Sequence, residues 1–527
     1  MNPETTIAIY GSHDASVTFI DYHGDLRIYE YERFANKRYA MFSSMFDNKH
    51  PLGTDSNLRN NFLNLIKNNL KNKDIKNILY LELNESDLSL LQSFFPNAEF
   101  TKCNHHFSHA SCGFYSSGFN DCIIFSVDGG GNDNNQIYKT KIYLGSNNQL
   151  TDIPFDDVDF GNPYSGIGYL ISEIKPDIEG YEAKHALSYS GKIMGLCAYG
   201  KVRDEWVQSM TNYYKTNNLE NLCKQIGIPC TPKCLSGKDS YDLAATSQYV
   251  FEKNMSSMIL PFVEKYNKNV ILVGGCALNV LYNQKLYEIL NNKKLSIYIP
   301  PNPNDCGLSY GMFVSKFLNY SKINVYSGIE LLDNIDESFY KKYDHEILDY
   351  SKLVDYLKEG KIIGLVNLNS EIGPRALGNR SIICDPSFEN MKDILNKKVK
   401  FREWYRPFAP VCRLEDKDLY FLNCKDSQYM SYAPKVKDKF KAKLKSIVHE
   451  DDTTRLQTVT NEQHSMFYNI LTEMNNKNYL PVILNTSFNI KGQPILTKIS
   501  DAFYVLDNTE LDCIVYDNKI FKKKNKI

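Results

Sequence analysis

One recurring order constrains this chain more than anything else: a short apolar strand, a glycine-bearing turn, then an amphipathic helix. Residues 6–11 (TIAIYG), Asn77–Leu83 (NILYLEL), Cys122–Val127 (CIIFSV) and Val270–Val273 are β-prone runs of strand length. Residues 15–21 (ASVTFID) and 25–32 (DLRIYEYE) predict two further strands. Helices are predicted over Leu58–Asn69, around His105–Tyr115 and over Asp242–Tyr266, the clearest amphipathic stretch. Strands alternating with helices indicate α/β layers. Asp128 with Gly129, Gly130 and Gly131 follows one strand, and Gly274-Gly275 follows another. In open α/β sheets, ligands bind at the carboxyl ends of strands, which is where these glycines stand.

At about 100–200 residues per domain, the 527 residues hold two to four domains. The pattern weakens over Ser321–Asp344 and resumes as a helix at Ser351–Lys358 and a strand at Lys361–Asn367. The expected boundary lies near Tyr343–Asp349, giving domains 1–345 and 346–527. The hydrophobic fraction of 43% supports real cores and excludes a disordered chain. With 61 Lys+Arg against 62 Asp+Glu, the net charge of -1 offers no bulk grip on nucleic acid or an anionic membrane. No apolar run reaches the roughly 18 residues of a membrane span, and the first residues do not read as a signal peptide. Thirteen scattered cysteines suit free thiols and a cytoplasmic location, with Cys230 and Cys234 read as structural. The basic end at 522–526 reads as a solvated tail.

Three groups could carry chemistry. His105 and His109 are spaced i, i+4, so a helix puts both imidazoles on one face within reach of one ion. Four of the ten histidines stand at 13, 105, 106 and 109. Asp128, at a strand end, and Asp305, before an apolar helix, could add carboxylates, although a helix N-cap alone would account for Asp305. Gly129–Gly131 and Gly274-Gly275, the latter before Asn279, could let backbone N–H groups approach phosphate, or could merely end strands. In the last third, Arg and Lys stand among turn residues and aromatics at Ile372–Ser381, Lys397–Phe408, Arg455 and Asn485–Asn489. That mixture suits a small dianion such as a phosphate ester, and also single-stranded nucleic acid.

In this order, the segments resemble the O-carbamoyltransferase family, whose members include antibiotic-biosynthesis and nodulation-factor carbamoyltransferases. The matching motifs are Gly11–Ser16, Tyr31–Phe34, His105–Ala110, Asp128–Gly131, Gly191–Leu196, Gly274–Asn279, Gly373–Ser381, Lys400–Pro410, Arg455–Val459 and Asn485–Asn489. The resemblance implies an α/β architecture. Its N-terminal domain would have an actin/hexokinase-like ATPase fold, similar to the tRNA threonylcarbamoyl-transfer type, and its C-terminal domain would be YrdC-like. It implies an ATP-dependent enzyme. Carbamoyl phosphate and ATP would form a carbamoyl-adenylate in the second domain. The first would transfer the group to an acceptor hydroxyl on a sugar, a secondary metabolite or a hydroxymethylated base or nucleotide.

The implied metal ligands are His105, His109, Asp128 and Asp305, holding Fe²⁺ or alternatively Mn²⁺. The implied nucleotide cradle is Gly129, Gly130, Gly131, Lys192, Gly274, Gly275 and Asn279. Carbamoyl phosphate would meet Lys400, Arg455, Asn485 and Ser487, and His13 with Asp14 would serve catalysis, His13 as general base. Other readings are a threonylcarbamoyl-type tRNA-modifying enzyme, which would want a basic face, and a non-catalytic nucleic-acid-binding protein. A hydrogenase-maturation carbamoyl carrier would need acylphosphatase and zinc-finger segments that the sequence does not show.

Overall fold

Thr6–Tyr10 (β1) holds Ile7, Ala8 and Ile9 without solvent exposure, so this strand is covered on both faces. In the computed structural model, which describes residues 1–45, 50–178 and 186–524, the chain divides into two compact units, Met1–Ile329 and Glu330–Ile527.

In the first unit, β1 joins Ser16–Ile20 (β2), Leu26–Glu30 (β3), Asn77–Leu81 (β4) and Glu99–Lys102 (β5) in a sheet of order β3-β2-β1-β4-β5. β1 to β3 form an antiparallel meander, while β4 and β5 run parallel to β1. Asp121–Asp133 (β6), Gln136–Ser146 (β7), Gln149–Ile153 (β8), Asn269–Val273 (β9) and Ile297–Tyr298 (β10) repeat the same plan in the order β10-β9-β6-β7-β8. Again a meander of three is extended by two parallel strands.

The helix His105–Ser117 lays Ala110 and Phe114 against Ile124, Ile271 and Val273 of the second sheet. The helix Leu308–Val314 lays Leu308, Met312 and Phe313 against Ala8 and Leu79 of the first. Burying such side chains stabilises by about 1.5–3 kcal/mol each. The two helices meet where Gly311 has no side chain: a Cβ there would stand 1.9 Å from the Ser108 carbonyl oxygen. This close approach brings the start of the His105 helix toward Asp305, and the carboxyl ends of β1 and β9 close on the same place.

In the second unit, Tyr343–Ile347 (β11), Ile363–Val366 (β12), Arg380–Cys384 (β13) and Ala409–Arg413 (β14) belong to an eight-stranded sheet. Phe421–Leu422 (β15) and Lys435–Val436 (β16) form a separate ribbon. Gln457–Val459 (β17), Ile483–Ser487 (β18), Cys513–Tyr516 (β19) and Lys519–Lys523 (β20) complete the large sheet, in the order β11-β20-β19-β12-β13-β18-β14-β17. The two-residue period of a strand splits its neighbours: Ile383 faces the helices Tyr350–Lys358 and Ser465–Asn476, and Ile382 faces Ile499–Asn508.

Several expectations change. The division falls after Ile329, earlier than the expected 345/346 boundary. The reason is that β11 pairs along its length with β20, and Asp333 Oδ1 accepts the Ile499 N–H at 2.6 Å. The glycine triplet is not a turn: β6 runs through Gly129–Gly131 with its register shifted between Val127 and Gly131. The basic end is partly structural, since Lys522 and Lys523 lie in β20 and Lys522 Nζ is 2.9 Å from Glu346 Oε1. Residues 525–527 lie outside the described part. All thirteen cysteines are free thiols. Among the described residues, no helix is long and apolar enough to cross a membrane.

Candidate functional site

His105, His109, Asp128 and Asp305 are all buried, and one ligand atom from each falls within 4.8 Å of the others. The helix start supplies both histidines, the shifted stretch of β6 supplies Asp128, and the segment Asp305–Gly307 supplies the second carboxylate. His109 Nε2 lies 3.2 Å from Asp128 Oδ2 and 3.3 Å from Asp305 Oδ1, and His105 Nε2 lies 3.6 Å from Asp305 Oδ1. Yet His109 Nε2 and both nitrogens of His105 make no aligned hydrogen bond. Buried imidazole nitrogens without hydrogen bonds, facing two carboxylates, fit a divalent cation of borderline character.

The electrostatics agree with that grouping. Burial pushes Asp128 and Asp305 up, and the charge of Asp128 adds to this at Asp305, but the surrounding imidazoles outweigh it and hold both below the usual carboxylate range. Burial lowers His105 to about 4, leaving it neutral with a lone pair to offer. In His109 burial works the same way, but the two carboxylates prevail and raise it to about 9.

Backbone N–H groups fix Asp128: Gly129 N donates to Oδ1 at 2.5 Å and Gly275 N to Oδ2 at 2.8 Å. Gly131 is required by the neighbouring ring, because a Cβ there would sit 2.1 Å from His105 Cγ and Cδ2. His13 stands at the edge of this group, with Nε2 3.7 Å from Asp305 Oδ2 and Nδ1 3.3 Å from Asp14 Oδ2. Burial opposes its charge, but Asp14, Asp305 and Asp128 together raise it to about 9.

Other expected residues have different placements. His106 is a satisfied core histidine, bonded through Nδ1 to Ser126 Oγ and through Nε2 to the Tyr138 carbonyl. Asp305 does not cap its helix; Asn304 holds the N-cap position. Asn279 caps the helix Val280–Asn292, and its amide is engaged by Gln248 at both ends. Lys192 lies inside the helix Tyr189–Leu196, with Nζ 2.7 Å from Asp177 Oδ1. Asn279 and Lys192 therefore do structural work at these contacts. Gly129 and Gly275 remain beside Asp128, while the Gly129 carbonyl accepts from Lys139 Nζ and Asn162 Nδ2 at 2.6 and 2.7 Å.

In the second unit, Lys400 and Ser487 come together. Lys400 Nζ donates to the Ser487 carbonyl at 2.5 Å and to Ser487 Oγ at 3.2 Å, and it is held by Asn489 as well. Asn485 donates to Ala376 O at 3.0 Å and Gln457 Oε1 at 2.8 Å, leaving its own buried Oδ1 without a partner. Arg455 Nε makes no hydrogen bond. Burial and the neighbouring Arg402 and Arg406 lower its guanidinium to about 10. Three arginines with a buried donor to spare are chemically suited to an anion. Arg402 and Arg406 stand in the basic segment Lys397–Phe408, and only the folded chain brings them close to Arg455. Tyr10, whose hydroxyl donates to Asp305 Oδ2 at 2.5 Å, carries no sequence signal beyond that of a strand residue.

The chain is similar in sequence to known proteins. A family model described as carbamoyltransferase N-terminus matches residues 28–313, and one described as carbamoyltransferase C-terminus matches 354–523. An uncharacterized protein of Methanocaldococcus jannaschii is 29% identical over 455 residues, covering 81% of this chain and 84% of that protein. Nodulation protein NolO of Bradyrhizobium diazoefficiens is 28% identical over 468 residues, covering 80% and 79%. A 3'-hydroxymethylcephem-O-carbamoyltransferase of Streptomyces clavuligerus is 26% identical over 382 residues, covering 69% and 70%. With both family models matched in order across most of its length, the chain belongs to the carbamoyltransferase family and is an enzyme.

Proposed function

We propose that the chain is an O-carbamoyltransferase that forms carbamoyl-adenylate from carbamoyl phosphate and ATP in Glu330–Ile527 and transfers the carbamoyl group to an acceptor hydroxyl in Met1–Ile329. The observation that carries this reading is the buried cluster of two imidazoles and two carboxylates in the first unit. The relative named for a hydroxymethyl cephem acceptor supports a hydroxyl as the group carbamoylated. The repeated meander-plus-two-parallel-strands plan supports an actin/hexokinase-like first unit, and the second unit is read as YrdC-like.

His105, His109, Asp128 and Asp305 would hold the cation, Fe²⁺ by preference or Mn²⁺. Such an ion supplies Lewis acidity and a template for phosphate and carbonyl oxygens. Gly129, Gly130, Gly131, Gly274 and Gly275 would let the adenylate approach closely for want of side chains, while the Gly129 and Gly275 N–H groups stay with Asp128 and the Gly274 N–H with the Pro303 carbonyl. Asp14 orients His13 through the Nδ1 contact; with Asp128 and Asp305 unneutralised the imidazole keeps its proton, and a cation held by those carboxylates would lower its pKa, so that His13 could then take the proton of the acceptor hydroxyl. In the second unit, Arg455 with Arg402 and Arg406 would meet phosphate charge. Lys400 would keep Ser487 and Asn489 in place, with Asn485 beside Gln457. In balance, carbamoyl phosphate loses its phosphate to water, the carbamate oxygen attacks the α-phosphorus of ATP with loss of pyrophosphate, and the acceptor hydroxyl, giving up its proton, then displaces AMP from the carbamoyl carbon.

The test is to incubate the chain with carbamoyl phosphate, ATP, a divalent cation and a panel of acceptors: sugars, secondary-metabolite alcohols and hydroxymethylated bases or nucleotides. The expected result is a mass gain of one carbamoyl group on one class, with ATP consumed. Carbamoylation that proceeds equally without ATP would overturn the adenylate route.

A further inference from the structure

Asp305 has two oxygens in different surroundings. Oδ1 faces His109 Nε2 at 3.3 Å and His105 Nε2 at 3.6 Å. Oδ2 accepts the Tyr10 hydroxyl at 2.5 Å, the length of a hydrogen bond from a neutral O–H to a carboxylate oxygen, and it lies 3.7 Å from His13 Nε2. Tyr10 ends β1 and is 2% exposed. Its ring meets that of His105 edge-on, with centroids 6.2 Å apart and planes at 74°. The phenol is therefore gripped by packing on one side and by a ligand carboxylate on the other.

We propose that Tyr10 is a positioning residue of the metal centre: by occupying Oδ2 it fixes the rotation of the Asp305 carboxylate and leaves Oδ1 as its single ligand oxygen toward a divalent cation. This inference rests on the metal reading of the cluster. The reasoning is general: hydrogen bonds to ligating carboxylates set their orientation, and losing one typically costs about 10–100-fold in metal affinity. It also separates two roles at one side chain. Oδ1 serves the ion, whereas Oδ2 is shared between the Tyr10 donor and the nearby His13 imidazole. Without the phenol the carboxylate is free to turn toward His13 or to present both oxygens to the ion. Asp128 needs no such side chain, because the Gly129 and Gly275 N–H groups already hold its oxygens.

The test uses the full chain, stripped with chelator and titrated with Co²⁺. Affinity is read by chelator competition and coordination by the visible d–d absorption. Tyr10→Phe is expected to bind Co²⁺ about 10–100-fold more weakly than the parent, with altered d–d bands. Tyr31→Phe, which removes an equally buried hydroxyl bonded to Thr54, is expected to match the parent. Asp305→Asn is expected to lose the site. Should the Phe chain not fold, Tyr10→Met removes the donor with a side chain that adapts to the space. Parent-like affinity and spectrum in the donor-less variant, with the site lost in Asp305→Asn, would overturn the role of Tyr10 and leave the metal reading standing. Parent-like Co²⁺ binding in Asp305→Asn would overturn the metal reading, and this inference with it.

Discussion

Gly131→Ala tests how tightly the proposed metal centre is built. The added Cβ would stand 2.1 Å from His105 Cγ and Cδ2 and 2.7 Å from its Cβ, where ordinary contact begins near 3.4 Å. The ring must retreat by about an ångström or more, whereas metal–ligand distances tolerate only about 0.2 Å. His105 also starts its helix, and that helix is pinned by Gly311 against the Ser108 carbonyl, so rigid-body retreat is blocked. Gly131 lacks the positive φ that would add backbone strain, so the cost is overpacking alone, about 1–3 kcal/mol. The variant should therefore fold, melt a few degrees lower, and lose most of its bound metal and carbamoyl transfer. Metal content by mass spectrometry and thermal melting measure both effects. Full metal content with a normal melting curve would refute the reasoning, because His105 would then not need the place it occupies.

Arg455→Ala should cut carbamoyl-adenylate formation steeply, since removing a buried cation paired with phosphate costs on the order of 2–5 kcal/mol; supplied carbamoyl-adenylate should still be consumed by that variant, and equal loss of both steps would contradict the division. His464 is buried and held down at about 4 against an ordinary 6.5 by desolvation, so the unfolded chain takes up its proton first as pH falls. Its contribution is intact above about pH 6.5 and is lost toward pH 4, by about 3 kcal/mol in all. Hydrogen exchange of the helix Ser465–Asn476 should show this acid loss, and His464→Asn, which keeps an N-cap acceptor, should flatten it. With a net charge of -1, random tRNA or DNA should not bind tightly at physiological salt; a micromolar complex in a shift assay would revive a nucleic-acid role.

Strands were legible wherever consecutive apolar residues met two packed faces, as in Ile7–Ile9, and the i, i+4 histidines were legible because helix geometry alone brings them together. The boundary was less so. β11 reads as YDHEI with only Tyr343 buried, so its membership in the large sheet depends on pairing with β20, far along the chain. The repeated topology of the two N-terminal sheets was invisible, since the strands share a plan without a sequence period. The glycine triplet looked like a turn because Gly disfavours strands locally; long-range pairing with β7 and the His105 ring on Gly131 override that preference. Lys192 and Asn279 sat in motif segments, but only the folded chain shows Lys192 beside Asp177 and Asn279 between Gln248 and a helix start. Tyr10 gave no signal, because a tyrosine ending an apolar strand is indistinguishable from core until Asp305 arrives beside it.

The most direct test of the account is a single incubation of an Asp305→Ala chain with carbamoyl phosphate and ATP, read by mass spectrometry for carbamoyl-adenylate and pyrophosphate. The account predicts that the adenylate forms and accumulates, because its synthesis belongs to Glu330–Ile527 and its consumption needs the centre that Asp305 completes. Absence of the adenylate from this folded variant, while the parent chain makes it, would contradict the separation of the two steps.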